Sequence, residues 1–168
     1  ANAERGIFKT TDGGKTWTDA SAGLPAPEHR GRIGIDIARS NPKVLYAFVD
    51  NYEPGVPAKE GERDAYGRPI FEARIKAAEV YRTDDSGASW RLVNNSSGIR
   101  ARPFYFHYVD VNPKNPDDIW VSAVGQYRST DGGKTMRTTS TPHSDNHGIW
   151  FNPDDPDTAL QVNDGGGT

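Results

Sequence analysis

Thr10-Thr11-Asp12-Gly13-Gly14-Lys15-Thr16-Trp17 returns twice along the chain, as Thr83-Asp84-Asp85-Ser86-Gly87-Ala88-Ser89-Trp90 and as Ser129-Thr130-Asp131-Gly132-Gly133-Lys134-Thr135-Met136. The three align without gaps on Ser/Thr-x-Asp-x-Gly-x-Ser/Thr-Trp/Met. Each follows a short β-favouring run with an aromatic, Gly6-Ile7-Phe8, Val80-Tyr81-Arg82 or Gln126-Tyr127-Arg128, and each precedes a polar strand-like run. That arrangement reads as a β-hairpin closed by an acidic turn.

A second repeat alternates with the first: Asp36 to Pro42, Asp110 to Pro116, and Trp150 to Pro156. Each is a strand ending in a proline-bearing turn, with another strand after it at Val44–Val49, Ile119–Val124 or Thr158–Val162. The acidic turn leads the proline turn by 30 residues (12 to 42), 31 (85 to 116) and 25 (131 to 156). One period is therefore strand A, proline turn, strand B, connection, strand C, acidic turn, strand D. Four antiparallel strands in about 40–50 residues is the signature of a propeller blade, so the expected fold is all-β. The expected division is a C–D hairpin over 1–30, a blade over 31–93 with an insertion at 51–77, a blade over 94–139, and the first hairpin of a further blade over 140–168. Closed propellers need at least about four blades. These residues are thus expected to be part of a larger disc, in a native protein heavier than 18.4 kDa.

Composition agrees with that reading and narrows the function classes. Only 34% of the 168 residues are apolar, and 18 glycines and 12 prolines make the chain turn-rich. Thin cores between neighbouring sheets account for so few apolar residues. The longest apolar run, Val44–Val49, is too short to span a bilayer, and no secretory apolar segment is visible at the N-terminus. A formal charge of −3 with scattered basic residues supplies no basic stripe, so nucleic acid is not an expected partner. Without cysteine there is no disulfide, thiolate chemistry or Cys-ligated zinc.

The acidic turn resembles the Asp-box, or BNR repeat, of sialidases, xyloglucanase-type glycoside hydrolases, sortilin (VPS10) ectodomains and bacterial extracytoplasmic propellers. The narrower resemblance is to bacterial sortilin-like, glycosyl hydrolase-like BNR proteins. It is carried by Ala78 to Asp85, Arg102-Pro103-Phe104-Tyr105-Phe106, Val111 to Asp117, His143 to His147, and Asn163-Asp164-Gly165-Gly166. The resemblance implies a propeller hairpin and an extracytoplasmic, bacterial setting. It does not fix an activity, since such families hold enzymes, receptors and scaffolds. Met136 departs from the usual aromatic, which is expected to weaken the packing of the third turn.

The repeated residues are structural in this reading. A carboxylate at the head of a tight turn accepts backbone N–H bonds, and the glycine two positions on tolerates positive φ. Asp12, Gly14 and Trp17, then Asp85, Gly87 and Trp90, then Asp131, Gly133 and Met136 fill these roles. Pro42, Pro116 and Pro156 set φ in the A–B turns. Both turn types share one face of the disc. The other face carries the B–C and D–A connections, where the irregular residues lie: Asn51 to Ala77, Asn94 to Arg102 and Ser140 to Asn146. Binding is expected there. In the insertion, Phe71 to Ala78 has the composition of a short helix, and Tyr52, Tyr66 and Arg68 suit a planar or sugar ligand.

His143-Ser144-Asp145-Asn146-His147 is the densest chemistry. If extended, it places His143, Asp145 and His147 on one side, a set suited to a divalent metal or to acid–base work, with solvated loop residues as the alternative. Asp164 is expected to emerge near His147. Asn163 to Gly166 is no phosphate loop, lacking a following Lys-Ser/Thr pair, and no cofactor is expected. A glycosidase needs two carboxyl groups across a cleft, for which Asp50, Asp110, Asp145 and Asp164 are candidates. Arg100 and Arg102 are the nearby candidates for a sialidase-type arginine set, which they do not complete. Asn94 and Asn95 head overlapping N-glycosylation patterns. The leading functional expectation is a non-enzymatic, extracytoplasmic propeller scaffold that binds protein or glycan on the connection face, beside the remaining blades of the same propeller and without entering a membrane. A BNR-type glycoside hydrolase is the alternative, with metal-dependent activity at His143, Asp145 and His147 a third reading.

Overall fold

A computed structural model of the chain describes residues 4–55, 60, 61, 63 and 75–168. The expected contacts Tyr66 and Arg68 lie outside the described residues. The strands are β1 (Phe8–Lys9), β2 (Thr18–Asp19), β3 (Arg30–Ile37), β4 (Leu45–Pro54), β5 (Ile75–Thr83), β6 (Arg91–Asn94), β7 (Tyr108–Val111), β8 (Ile119–Ser122), β9 (Gln126–Ser129), β10 (Arg137–Thr139), β11 (Asn146–Phe151), β12 (Ala159–Asn163) and β13 (Gly166–Gly167). They form four antiparallel sheets in chain order: β1-β2, β3-β4-β5-β6, β7-β8-β9-β10 and β11-β12-β13. The protein is all-β, and its sheets are propeller-like blades.

Each acidic turn is held by its own side chains. Asp12 accepts the N–H groups of Lys15 and Thr16 on Oδ1 (3.0 and 2.9 Å) and the Thr16 hydroxyl on Oδ2 (2.6 Å). Thr10 closes the ring by accepting Gly14 N–H (2.9 Å). Asp85 with Ser89 and Asp131 with Thr135 repeat this pattern. Gly14, Gly87 and Gly133 sit at φ of 87°, 85° and 90°, where a side chain would be strained. Side-chain and backbone donors aimed at the three carboxylates hold each near pKa 2. Ser86 N–H reaches Lys43 O (2.9 Å) and Gly132 N–H reaches Asp117 O (2.9 Å), so acidic and proline turns do share a face.

The residue closing each turn packs on the preceding sheet. Trp90 is buried and donates to Ala20 O (2.8 Å), while Met136 packs with Val93 into the main core. The weak packing expected at Met136 falls instead at Trp17, 59% exposed, because among the described residues no sheet precedes β1.

β4 explains the unbroken apolar run. Tyr46 and Phe48 point toward the β7–β10 sheet, meeting Val109, Val111, Ile119 and Val121, while Ala47 and Val49 meet Leu24, Tyr81 and Trp90 on the other side. A strand buried on both faces has no polar alternation to show. Two expectations fail beside it. The insertion begins later than residue 51 and ends before 77, because β4 runs to Pro54 and pairs through Pro54↔Ile75 and Asn51↔Ala77. Within the expected helix, Ile75 to Ala78 are the start of β5, and 71–74 lie outside the described residues. Ladder pairing with β4 overrides helix propensity there, across a bulge marked by Ala77 at φ 62°.

Polar bolts join the sheets. Arg82 on β5 contacts Asp117 in the next sheet's proline turn, the Tyr46 hydroxyl (2.8 Å) and Asp84, and Tyr46 donates to Pro116 O (2.8 Å). Burial pushes the Tyr46 hydroxyl up to about 12. Arg82→Met is expected to lower stability by about 1–2 kcal/mol in urea unfolding, since Asp84 keeps Arg91 as a partner (2.7 Å) while the tie to Asp117 is lost. An unchanged midpoint would show that the bolt is idle.

On the inner strands, Val111 N–H donates to Asp36 Oδ2 (2.8 Å) and Ile149 N–H to Asp110 Oδ2 (3.2 Å). β3 thus holds β7, and β7 holds β11.

Candidate functional site

The segment before β7 and the start of β11 meet on the connection face. His147 Nε2 donates to Asp164 Oδ1 (2.7 Å), which fixes the imidazole at the head of β11 against the turn after β12. Its ring is framed by Tyr105, Phe106 and Tyr108, with centroids 5.8, 5.5 and 6.4 Å away. Phe106 is buried and anchors the segment. Phe104 and Tyr105 stand 58% and 54% exposed, and Tyr108 stacks on His107 (4.9 Å). An aromatic shelf with a hydrogen-bonded His–Asp pair at its edge is the result.

The shelf is held by strained backbone. Arg102 and Asp145 both adopt left-handed conformations, φ 51° and 60°, and their side chains face each other at 3.9 Å. Such conformations in non-glycine residues cost of order 1–3 kcal/mol and persist where surroundings impose them. Here Asp145 N–H is tied to Val124 O (2.9 Å) and Asp145 O accepts Asp164 N–H (3.2 Å). Buried Asn146 locks the next position by donating to Val124 O (3.1 Å).

That geometry corrects the alternation expected for 143–147. With Asp145 left-handed, His143, Asp145 and His147 do not share a side: His143 Nδ1 lies against Ser144 O (2.9 Å), Asp145 faces Arg102 and Ser144, and His147 faces Asp164. Among the described residues no three His, Asp or Glu side chains converge as metal ligands. Asp164 does emerge beside His147, as expected. Arg100 ends a 3-10 turn, exposed, while Arg102 is engaged with Asp145. Asn94 is buried and donates to Lys134 O (3.2 Å), which leaves exposed Asn95 as the accessible glycosylation position.

The four candidate carboxylates have separate surroundings. Asp110 lines a cleft of about 220 Å³ with Asp36, Arg39 and Trp150, and burial, reinforced by the Asp36 charge, raises it to about 6. Asp50 is buried in β4, and among the described residues its oxygens have no hydrogen-bond partner of good geometry. Burial pushes its carboxyl up, moderated by the Tyr52 hydroxyl and Arg5 nearby. Tyr52 lies in the wall of a second cavity, about 560 Å³, that Phe104 also lines. Sequence reasoning missed Tyr105, Tyr108 and Phe104 as contacts, although Phe104-Tyr105-Phe106-His107-Tyr108 is the densest aromatic run in the chain.

These sheets and seams define a propeller-like segment with an aromatic connection face. Among solved structures, one described as an ancestral GH74 enzyme matches with a TM-score of 0.55 and 13% identity, over 96% of this chain and 19% of that one. The chain thus spans about a fifth of the length of that structure. No family model and no curated protein matches. At such identity the likeness speaks for the fold alone.

Proposed function

We propose that this chain is a non-enzymatic, glycan-binding stretch of an extracytoplasmic propeller of the Asp-box type, acting as a recognition surface within a larger protein. The observation that carries the reading is the exposed shelf of Tyr105 and Tyr108 around the His147–Asp164 pair, on the face built from connections, with exposed Phe104 next to Tyr105 in the chain. Rigid aromatic rings present large apolar area at low entropic cost, and the pair at their edge offers polar groups for hydroxyls. Exposed Trp150 and Leu160 on the last sheet suit contact with further blades. The extracytoplasmic setting rests on the resemblance of the acidic turns.

A panel of immobilised polysaccharides tests the reading. Retention of the native chain on at least one is expected, and Tyr105→Ala is expected to weaken it about tenfold, the equivalent of one lost ring contact. Tyr105 is exposed, so the fold should survive. Retention on none of the panel, or an unaffected Tyr105→Ala, removes the glycan reading. The second reading, a BNR-type glycoside hydrolase, draws on the GH74 description of the matched structure and on the raised carboxyl of Asp110 beside Asp36. Release of reducing ends from a bound polysaccharide would favour it.

A further inference from the structure

The cavity beside the shelf has a chemistry of its own. Arg5 and Arg32 line it, Arg5 donating from one Nη to Arg30 O (2.7 Å), and Tyr52 and Phe104 add rings 41% and 58% exposed. Glu4 lines it too, so cationic groups outnumber anionic ones on its walls. Its volume of about 560 Å³ is within the range of small-ligand sites, roughly 300–1,000 Å³.

Behind one wall the Asp50 and Tyr52 side chains pack together. Gly31 lines the cavity, and a Cβ there would lie 2.6 Å from Asp50 Oδ2 and 2.7 Å from Tyr52 Cε2. Only glycine leaves room for those two side chains there. Asp50 is 1% exposed, and the Tyr52 hydroxyl lies beside its carboxyl, so the two side chains fix the Tyr52 ring at the wall.

We infer that this cavity binds a pyranose ring bearing an anionic group, a uronate carboxylate or a sulfate ester, of an acidic saccharide. The ring faces stack on Tyr52 and Phe104. The anionic group meets the Arg32 fork and the N–H donors of Arg5 that Arg30 O leaves open, whose planar geometry matches a carboxylate or sulfate. The inference rests on the glycan-binding reading and adds to it the charge of the sugar and a second contact place beside the shelf.

Titration calorimetry of the full chain with three probes tests it: tetragalacturonate, a sulfated tetrasaccharide and the neutral cellotetraose. At least one acidic probe is expected to bind about tenfold more tightly than cellotetraose, with the advantage shrinking as NaCl rises from about 50 to about 500 mM. The tighter of the two acidic probes identifies the anionic group. Arg32→Gln, at an exposed position, is expected to abolish the preference for the acidic probe. Equal affinity for neutral and acidic probes, or a preference that survives Arg32→Gln, overturns this inference while leaving the glycan reading standing. Failure to bind any probe overturns the inference; failure on the wider polysaccharide panel as well overturns the reading beneath it.

Discussion

Gly34→Ala is expected to destabilise the protein by about 3 kcal/mol, seen as a lower urea midpoint at unchanged slope. A Cβ at Gly34 would lie 1.6 Å from His107 O and 2.8 Å from His107 C, and both are backbone atoms that no rotamer change can move aside. Neither strand can retreat cheaply. β3 is fixed to β4 by Ile33↔Val49 and Ile35↔Ala47, while β7 is fixed to β8 from Tyr108↔Ser122 onward. The Asp36–Val111 bond then ties β3 to β7 within the same seam. One of these ladders must yield, or the two sheets must part. Because His107 and Tyr108 stack at the foot of the aromatic shelf, Gly34→Ala is also expected to weaken glycan retention at temperatures where the chain is still folded. Gly167→Ala serves as the comparison, with nothing nearer than 3.6 Å to an added Cβ. A loss below about 1 kcal/mol at Gly34 would mean that the inner strands do not touch through their backbones.

Gly34 also shows where sequence reading stops. The acidic turns were legible because their chemistry is local: Asp12, Thr10 and Thr16 satisfy one another within seven residues, and the spacing repeats wherever the same turn is built. Period and strand order follow from that. The seams are different, since Asp36 meets Val111 across 75 residues and no spacing announces it. A lone glycine inside the alternating run Arg32-Ile33-Gly34-Ile35 was the available hint of close backbone approach. Over Ile75 to Ala78 the expected helix fails for the same reason, because β4, not the segment's own composition, decides the conformation there. On the connection face, His147 and Asp164 were found because both follow directly from the strand pattern. His143 and Asp145 separated from them because a left-handed residue, imposed by contacts from Val124 and Asp164, interrupts the alternation.

Two sets of carboxyl groups give the chain opposing pH dependences, and Asp110→Asn is expected to remove one of them. In the acidic turns the folded-state pKa values, about 2, lie below the ordinary 3.8. Their contribution is present above pH 3.8 and is lost as pH falls toward 2. Asp110 has the reverse sign: burial lifts it from 3.8 to about 6, so the folded chain holds a proton that the unfolded chain releases. The fold is favoured by this group below pH 3.8, and stability declines as pH rises from about 4 to about 6. A displacement of that size corresponds to about 3 kcal/mol. Asparagine stays neutral at every pH and keeps an oxygen to accept Ile149 N–H, so the tie between β7 and β11 survives without the buried charge. Urea unfolding at pH 4 and at pH 7 should therefore bring the variant level with the native chain at the lower pH and leave it more stable by up to about 3 kcal/mol at the higher. A variant that tracks the native chain at both pH values would show that the Asp110 charge is solvated and that the seam is indifferent to it.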